Sequence, residues 1–94
     1  MLDLALARVR AYRPEILLLQ FGTDGHAGDA FAHLELTDGA YAAIAERTHA
    51  LAHEICGGAV VLLGGGGYAP DTVARVWTRA LATIGGFRML ALDG

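Results

Sequence analysis

Two short, unbroken apolar runs constrain this chain more than any other feature. One covers residues 15–21 (Glu-Ile-Leu-Leu-Leu-Gln-Phe) between Pro14 and Gly22, and the other covers residues 59–63 (Ala-Val-Val-Leu-Leu) between Gly57-Gly58 and Gly64. Neither has room for a helix, and neither alternates polar with apolar as a half-solvated strand does. Both read as strands buried on two faces. Three segments of helical spacing surround them. Leu2, Leu6 and Val9 form a stripe that Pro14 ends. Tyr41, Ile44, Ala45, Thr48, Leu51, Ala52 and Ile55 form a second, opened by Thr37 as N-cap with Asp38 in the first turn and closed by Gly57-Gly58. Val73, Val76, Trp77, Ala80, Leu81 and Ile84 form a third, opened by Pro70 and closed by Gly85-Gly86, with residues 87–92 as a candidate third strand.

Strands alternating with helices predict an α/β fold, a parallel sheet with covering helices. The right-handed crossover sends both strands the same way, so their carboxyl ends share one edge, where open α/β sheets bind ligands. Two loops leave that edge. The first, from Gly22, carries Asp24, His26, Asp29 and His33; the second is Gly64-Gly65-Gly66-Gly67-Tyr68.

Composition narrows the chemistry. The net charge is −3 and all seven cationic side chains are arginine, which argues against a nucleic-acid binder and removes the lysine of P-loop or Schiff-base sites. Cys56 is alone, so an internal disulfide is excluded and a reducing, cytoplasmic setting fits. No apolar run is long enough to span a membrane. The 94 residues are 54% hydrophobic and 18% charged, against about 45–50% and about 25% in ordinary domains. So apolar a chain reads as a single partial domain, a piece of something larger, or a copy that self-associates through an exposed sheet edge.

Four glycines between a strand and a helix permit positive φ or close backbone approach. Gly64, Gly66 and Ala69 also satisfy a G-x-G-x-x-A dinucleotide fingerprint, with Asp93 as its acid, so a nucleotide-binding module is the alternative. Tyr68 crowds that loop, and Pro70 starts the helix late for a pyrophosphate site. A tyrosine there instead offers a hydroxyl that donates to a developing oxyanion. Asp24 offers a metal-binding carboxylate. Asp24 with His26 lacks a third strong ligand unless Asp29 bends back, and His49 with His53 lie four apart on a solvated helix face.

The stretches Pro14 to Asp24, Ala27-Gly28-Asp29, Leu36-Thr37, Leu62 to Tyr68 and Val73 to Thr78, in that order, resemble the zinc-dependent histone deacetylase family, and within it the bacterial acetoin-utilization branch. The resemblance spans residues 10–84 and implies part of an arginase/deacetylase-like three-layer α/β/α fold. It also implies zinc-assisted hydrolysis of an acetylated protein or small acetyl-amide. By matching position, Asp24 is the family's second aspartate zinc ligand and Tyr68 its oxyanion-stabilising tyrosine. Phe31, Gly66 and Gly67 line the acyl-lysine passage, Asp29 supports the loop, and Arg75 and Trp77 pack. The family's Asp-x-His ligands and His-His dyad have no counterpart among His26, His33, His49 and His53. A C-terminal-side portion of the catalytic domain, inactive by itself, is therefore expected.

Overall fold

The computed structural model describes residues 2–28 and 35–85. Their order is α1 (Leu2–Tyr12), β1 (Leu17–Gln20), a 3-10 turn (Thr23–Gly25), α2 (Asp38–Cys56), β2 (Val60–Leu63) and α3 (Pro70–Gly85). Asp29, Phe31, His33, the candidate strand at 87–92 and Asp93 lie outside the described residues.

β1 and β2 pair in parallel, with Leu17 opposite Val60 and Gln20 opposite Leu63. This places both carboxyl ends on one edge, as the alternation predicts. Local signals set the helix ends. The Thr37 hydroxyl accepts from the Ala40 amide at 3.1 Å at the start of α2, satisfying one of the amides that a first turn leaves unpaired. Gly57 ends α2 at φ 63°, its N–H returning to the Ala52 carbonyl, a left-handed cap that glycine adopts without steric cost.

Leu17, Leu19, Val60 and Leu62 share one face of the sheet, and all three helices pack there. Leu6 and Val9 of α1 meet Leu17, Leu51 and Ala52; Leu19 and Leu62 meet Phe21, Tyr41, Ala45, Val76 and Ala80. Phe21, 2% exposed, makes edge-to-face contacts with Tyr41 at 5.3 Å and Trp77 at 5.6 Å. Such pairs add about 0.5–1.5 kcal/mol beyond area burial.

The opposite face departs from the expectation of burial on both sides. Leu18 is 66% exposed, and Ile16, Val61 and Leu63 are exposed with it. Within α3 the expected stripe shifts: Thr72, Val76 and Ala80 are buried, whereas Leu81 faces outward. Ion pairs join the helices at the surface, Arg10 to Glu54 and Arg47 to Asp3 linking α1 to α2. Exposed pairs of this kind contribute little.

Burial therefore predicts unequal costs of truncation within one segment. Phe21→Ala is expected to lower the unfolding free energy by about 3–5 kcal/mol, and Leu18→Ala to change it by less than about 0.5 kcal/mol. Urea titration followed by circular dichroism checks both.

Candidate active site

The two loops that leave the shared edge are stitched together by their backbones. The Phe21 amide donates to the Leu63 carbonyl and the Thr23 amide to the Gly66 carbonyl, each at 2.8 Å; the first extends the parallel ladder and the second, displaced by one residue, joins the loops beyond it. The Tyr41 hydroxyl donates to the Gly22 carbonyl at 2.9 Å. Thr23 is buried at 1% exposure, and a 3-10 turn over Thr23–Gly25 presents Asp24 at its centre.

The glycines have contact reasons for being glycine. A Cβ on Gly66 would overlap the Asp24 carboxylate, and a Cβ on Gly67 would overlap the Thr23 hydroxyl and press on Val73. Gly67 also has φ 150°, outside the usual range of residues with side chains. A Cβ on Gly22 would lie 3.0 Å from the Gly66 backbone and 3.1 Å from an Asp24 carboxylate oxygen. Asp24 is therefore cradled by Gly22 and Gly66. Tyr68 follows two residues after Gly66 and is 61% exposed at the same edge. A pyrophosphate drawn to the Gly64–Ala69 loop would meet the Asp24 carboxylate there, which weighs against the dinucleotide reading.

His26 is not available as a partner ligand for Asp24. It is 8% exposed, its Nδ1 accepts from the Gly28 amide at 2.9 Å, and its Nε2 lies 2.5 Å from Asp38 Oδ1. With Nδ1 accepting, the ring proton resides on Nε2 and is donated to Asp38. Asp38 in turn accepts from Arg75 Nε at 2.5 Å and Nη2 at 3.2 Å. Arg75, expected to pack, makes this ion pair instead; Trp77 packs on Phe21 as expected. The Arg75 hydrogen bond, with a smaller contribution from His26, holds the Asp38 carboxyl below the usual carboxylate range, against the opposing effect of burial. The only sequence signals for this group were an acid in the first turn of α2 and an arginine in α3, and neither names the other.

His49 and His53 meet ring to ring at 4.6 Å on α2. Among the described residues no three His, Cys, Asp or Glu side chains converge as a metal site. Catalytic zinc takes three protein ligands, so these residues alone do not fit it. A cleft of about 220 Å³ between α2 and α3 is lined by Asp38, Tyr41, Ala42, Arg75, Val76 and Arg79; neither Asp24 nor Tyr68 is in its wall.

Comparison with known proteins decides the family. The histone deacetylase domain model matches residues 1–84. The chain belongs to the histone deacetylase family. It is 39% identical over 79 residues to the acetoin utilization protein AcuC of Bacillus subtilis, covering 78% of this chain and 20% of AcuC. It is 40% identical over 63 residues to the chloroplastic histone deacetylase 10 of rice, Oryza sativa subsp. japonica, covering 67% of this chain and 14% of that protein. The fold matches the crystal structure of the HDA15 HD domain with TM-score 0.75 at 20% identity, covering 92% of this chain and 23% of that one. The deacetylase-family chain thus spans a small part of the length of its relatives, and its helices and parallel sheet are a portion of the family's α/β fold.

The glycine contacts generate a graded series. Gly66→Ala and Gly67→Ala are each expected to destabilise by about 1–3 kcal/mol through overpacking. Gly64→Ala, whose Cβ meets nothing within 4 Å, is expected to be neutral or to stabilise by up to about 1 kcal/mol. Thermal melts of the three variants check this. The Asp38 carboxyl supplies a second expectation. Because its folded value lies below its unfolded one, its stabilisation is complete above the ordinary carboxylate range of about 4 and is lost as pH falls through the lowered value. The stability gap between the parent and Asp38→Asn should accordingly close on acidification, as measured by urea midpoints across that range.

Proposed function

We propose that this chain supplies two working groups to a zinc-dependent deacetylase that hydrolyses acetyl-lysine or a related acetyl-amide. Asp24 would provide one oxygen ligand to the metal, which when bound would polarise the substrate's carbonyl and activate water. The Tyr68 hydroxyl donates a hydrogen bond to the substrate's carbonyl oxygen as that oxygen gains charge when water adds to the carbonyl carbon, the water's proton passing to a general base outside this chain. Collapse of the tetrahedral intermediate breaks the C–N bond, the nitrogen takes up that proton, and acetate and the amine are released. Gly66, Gly67 and Phe31 border the passage for the acyl-lysine stem, and Asp29 supports the loop that bears Asp24.

The observation that carries this reading is the stitching of the two loops. The Thr23 to Gly66 hydrogen bond and the Asp24 carboxylate against Gly66 bring a carboxylate and a tyrosine-bearing turn to one sheet edge. Family membership supports the reaction type. The remaining metal ligands and the general base, the Asp-x-His and His-His pairs of the resemblance, have no matching residues in this sequence. The 94-residue chain is accordingly inactive by itself.

Two measurements test the proposal. The chain supplied with zinc and an acetyl-lysine peptide is expected to give no acetate. Grafted in place of the matching 63-residue segment of rice histone deacetylase 10, the aligned part of this chain is expected to preserve zinc-dependent deacetylation. In that chimera Tyr68→Phe should lower kcat by about 10²–10³-fold, the usual cost of one oxyanion donor, and Asp24→Asn should reduce zinc affinity together with activity. Turnover by the free chain that disappears in Tyr68→Phe, or a chimera indifferent to Asp24→Asn, would overturn the reading.

A further inference from the structure

The group formed by His26, Asp38 and Arg75 joins three segments that are distant in sequence. Asp38 opens α2, Arg75 lies one turn into α3, and His26 closes the 3-10 turn that bears Asp24, its own amide donating to the Thr23 carbonyl at 3.0 Å. The connection is made at the side chains and again at the backbone. His26 and Leu36 form a parallel bridge, with Ala27 N–H to Leu36 carbonyl at 2.8 Å and Leu36 N–H to Gly25 carbonyl at 2.9 Å. Gly28, whose amide is bound by His26 Nδ1, is packed so closely that a Cβ there would lie 2.9 Å from the Thr72 hydroxyl of α3. The front of the turn is held by Thr23 and Gly22, and this group holds its back.

We propose that Asp38 is a positioning residue for Asp24, acting through His26: it fixes the imidazole between α2 and the Gly28 amide, while Arg75 fixes the Asp38 carboxylate from α3. The imidazole has two opposed hydrogen bonds, so its plane and tautomer are determined, and the backbone two residues after Asp24 cannot rotate without breaking one of them. With the Gly22 and Gly66 cradle in front, this leaves the Asp24 carboxylate a single place, against the glycine loop. A buried imidazole with both nitrogens bonded has its desolvation cost offset by those bonds and gains rigidity from each. The significance of this for catalysis rests on the proposed role of Asp24; the positional coupling itself does not.

Nuclear magnetic resonance of the 94-residue chain reads the coupling directly, through the ring nitrogens of His26 and the carboxyl carbon of Asp24. The parent should show the tautomer protonated at Nε2. Asp38→Ala should mix the two tautomers, move the Asp24 carboxyl resonance, and speed exchange of the Gly28 amide by at least about tenfold, the equivalent of about 1.4 kcal/mol of lost protection. Asp38→Asn keeps an oxygen that accepts from Nε2 and should return the His26 and Asp24 signals most of the way to the parent's. An unmoved Asp24 signal in a folded Asp38→Ala chain, or equal displacement in Asp38→Ala and Asp38→Asn, overturns the proposal. If Asp38→Ala fails to fold, Arg75→Gln makes the same comparison by releasing the α3 end alone, with a displaced Asp24 signal expected and an unchanged one overturning it. These readouts do not involve turnover, so a chimera indifferent to Asp24→Asn would remove the catalytic meaning while leaving the coupling measurable.

Discussion

Parallel pairing of β1 with β2 is the constraint on which the rest of the structure depends. Its register, Leu17 opposite Val60 through Gln20 opposite Leu63, decides which loop residues meet beyond the strand ends. Just past the strand ends Thr23 bonds to Gly66, and the Asp24 carboxylate then lies against the glycine backbone. A slip by one residue would turn Leu17 and Leu19 away from the helices and expose the core face. The same slip would carry Asp24 out of its cradle. Core packing and site geometry are therefore set by one choice, and the hydrophobic penalty that enforces the register also aims the carboxylate.

What could be read from the sequence follows from which forces are local. Thr37, Gly57 and Pro70 act on their own backbone within one turn, so helix starts and stops were legible. The two apolar runs announced themselves as strands by length, and the glycine boundaries told where they end. Burial on both faces was not legible. Leu18 and Leu19 are adjacent and chemically identical, yet one is bare and the other packed, because a pleated strand with helices on one side sorts neighbours by parity. The His26, Asp38 and Arg75 group was illegible for a different reason. Its members sit 12 and 37 residues apart, and nothing in the spacing of an acid, a histidine and an arginine says that a fold will bring them together.

The glycine run carries a packing demand that the sequence alone does not display. The family resemblance implies that Gly66 and Gly67 border a substrate passage. In the folded chain each missing Cβ is already required by this molecule, at Gly66 by the Asp24 carboxylate and at Gly67 by the Thr23 hydroxyl. Substitution at either position would disturb the Asp24 carboxylate or the Thr23 hydroxyl directly. Gly64, with open space around its Cβ position, shows that the run is not uniform and that its members have separate reasons.

The uncovered sheet face bears on how much of an enzyme this chain can be. Parallel sheets occur almost only with both faces covered, but Leu18, Val61 and Leu63 lie open on the side away from the helices. The chain spans 20% of AcuC and 23% of the HDA15 chain, so relatives hold a large remainder that can form further strands and a second helical layer. The same incompleteness appears in the chemistry. Under the proposed role of Asp24 its carboxylate is one metal ligand, and because no three His, Cys, Asp or Glu side chains converge among the described residues, the remaining ligands would come from another part of a larger domain. On that proposal the bare face and the single carboxylate call for the same thing, further segments of a larger domain.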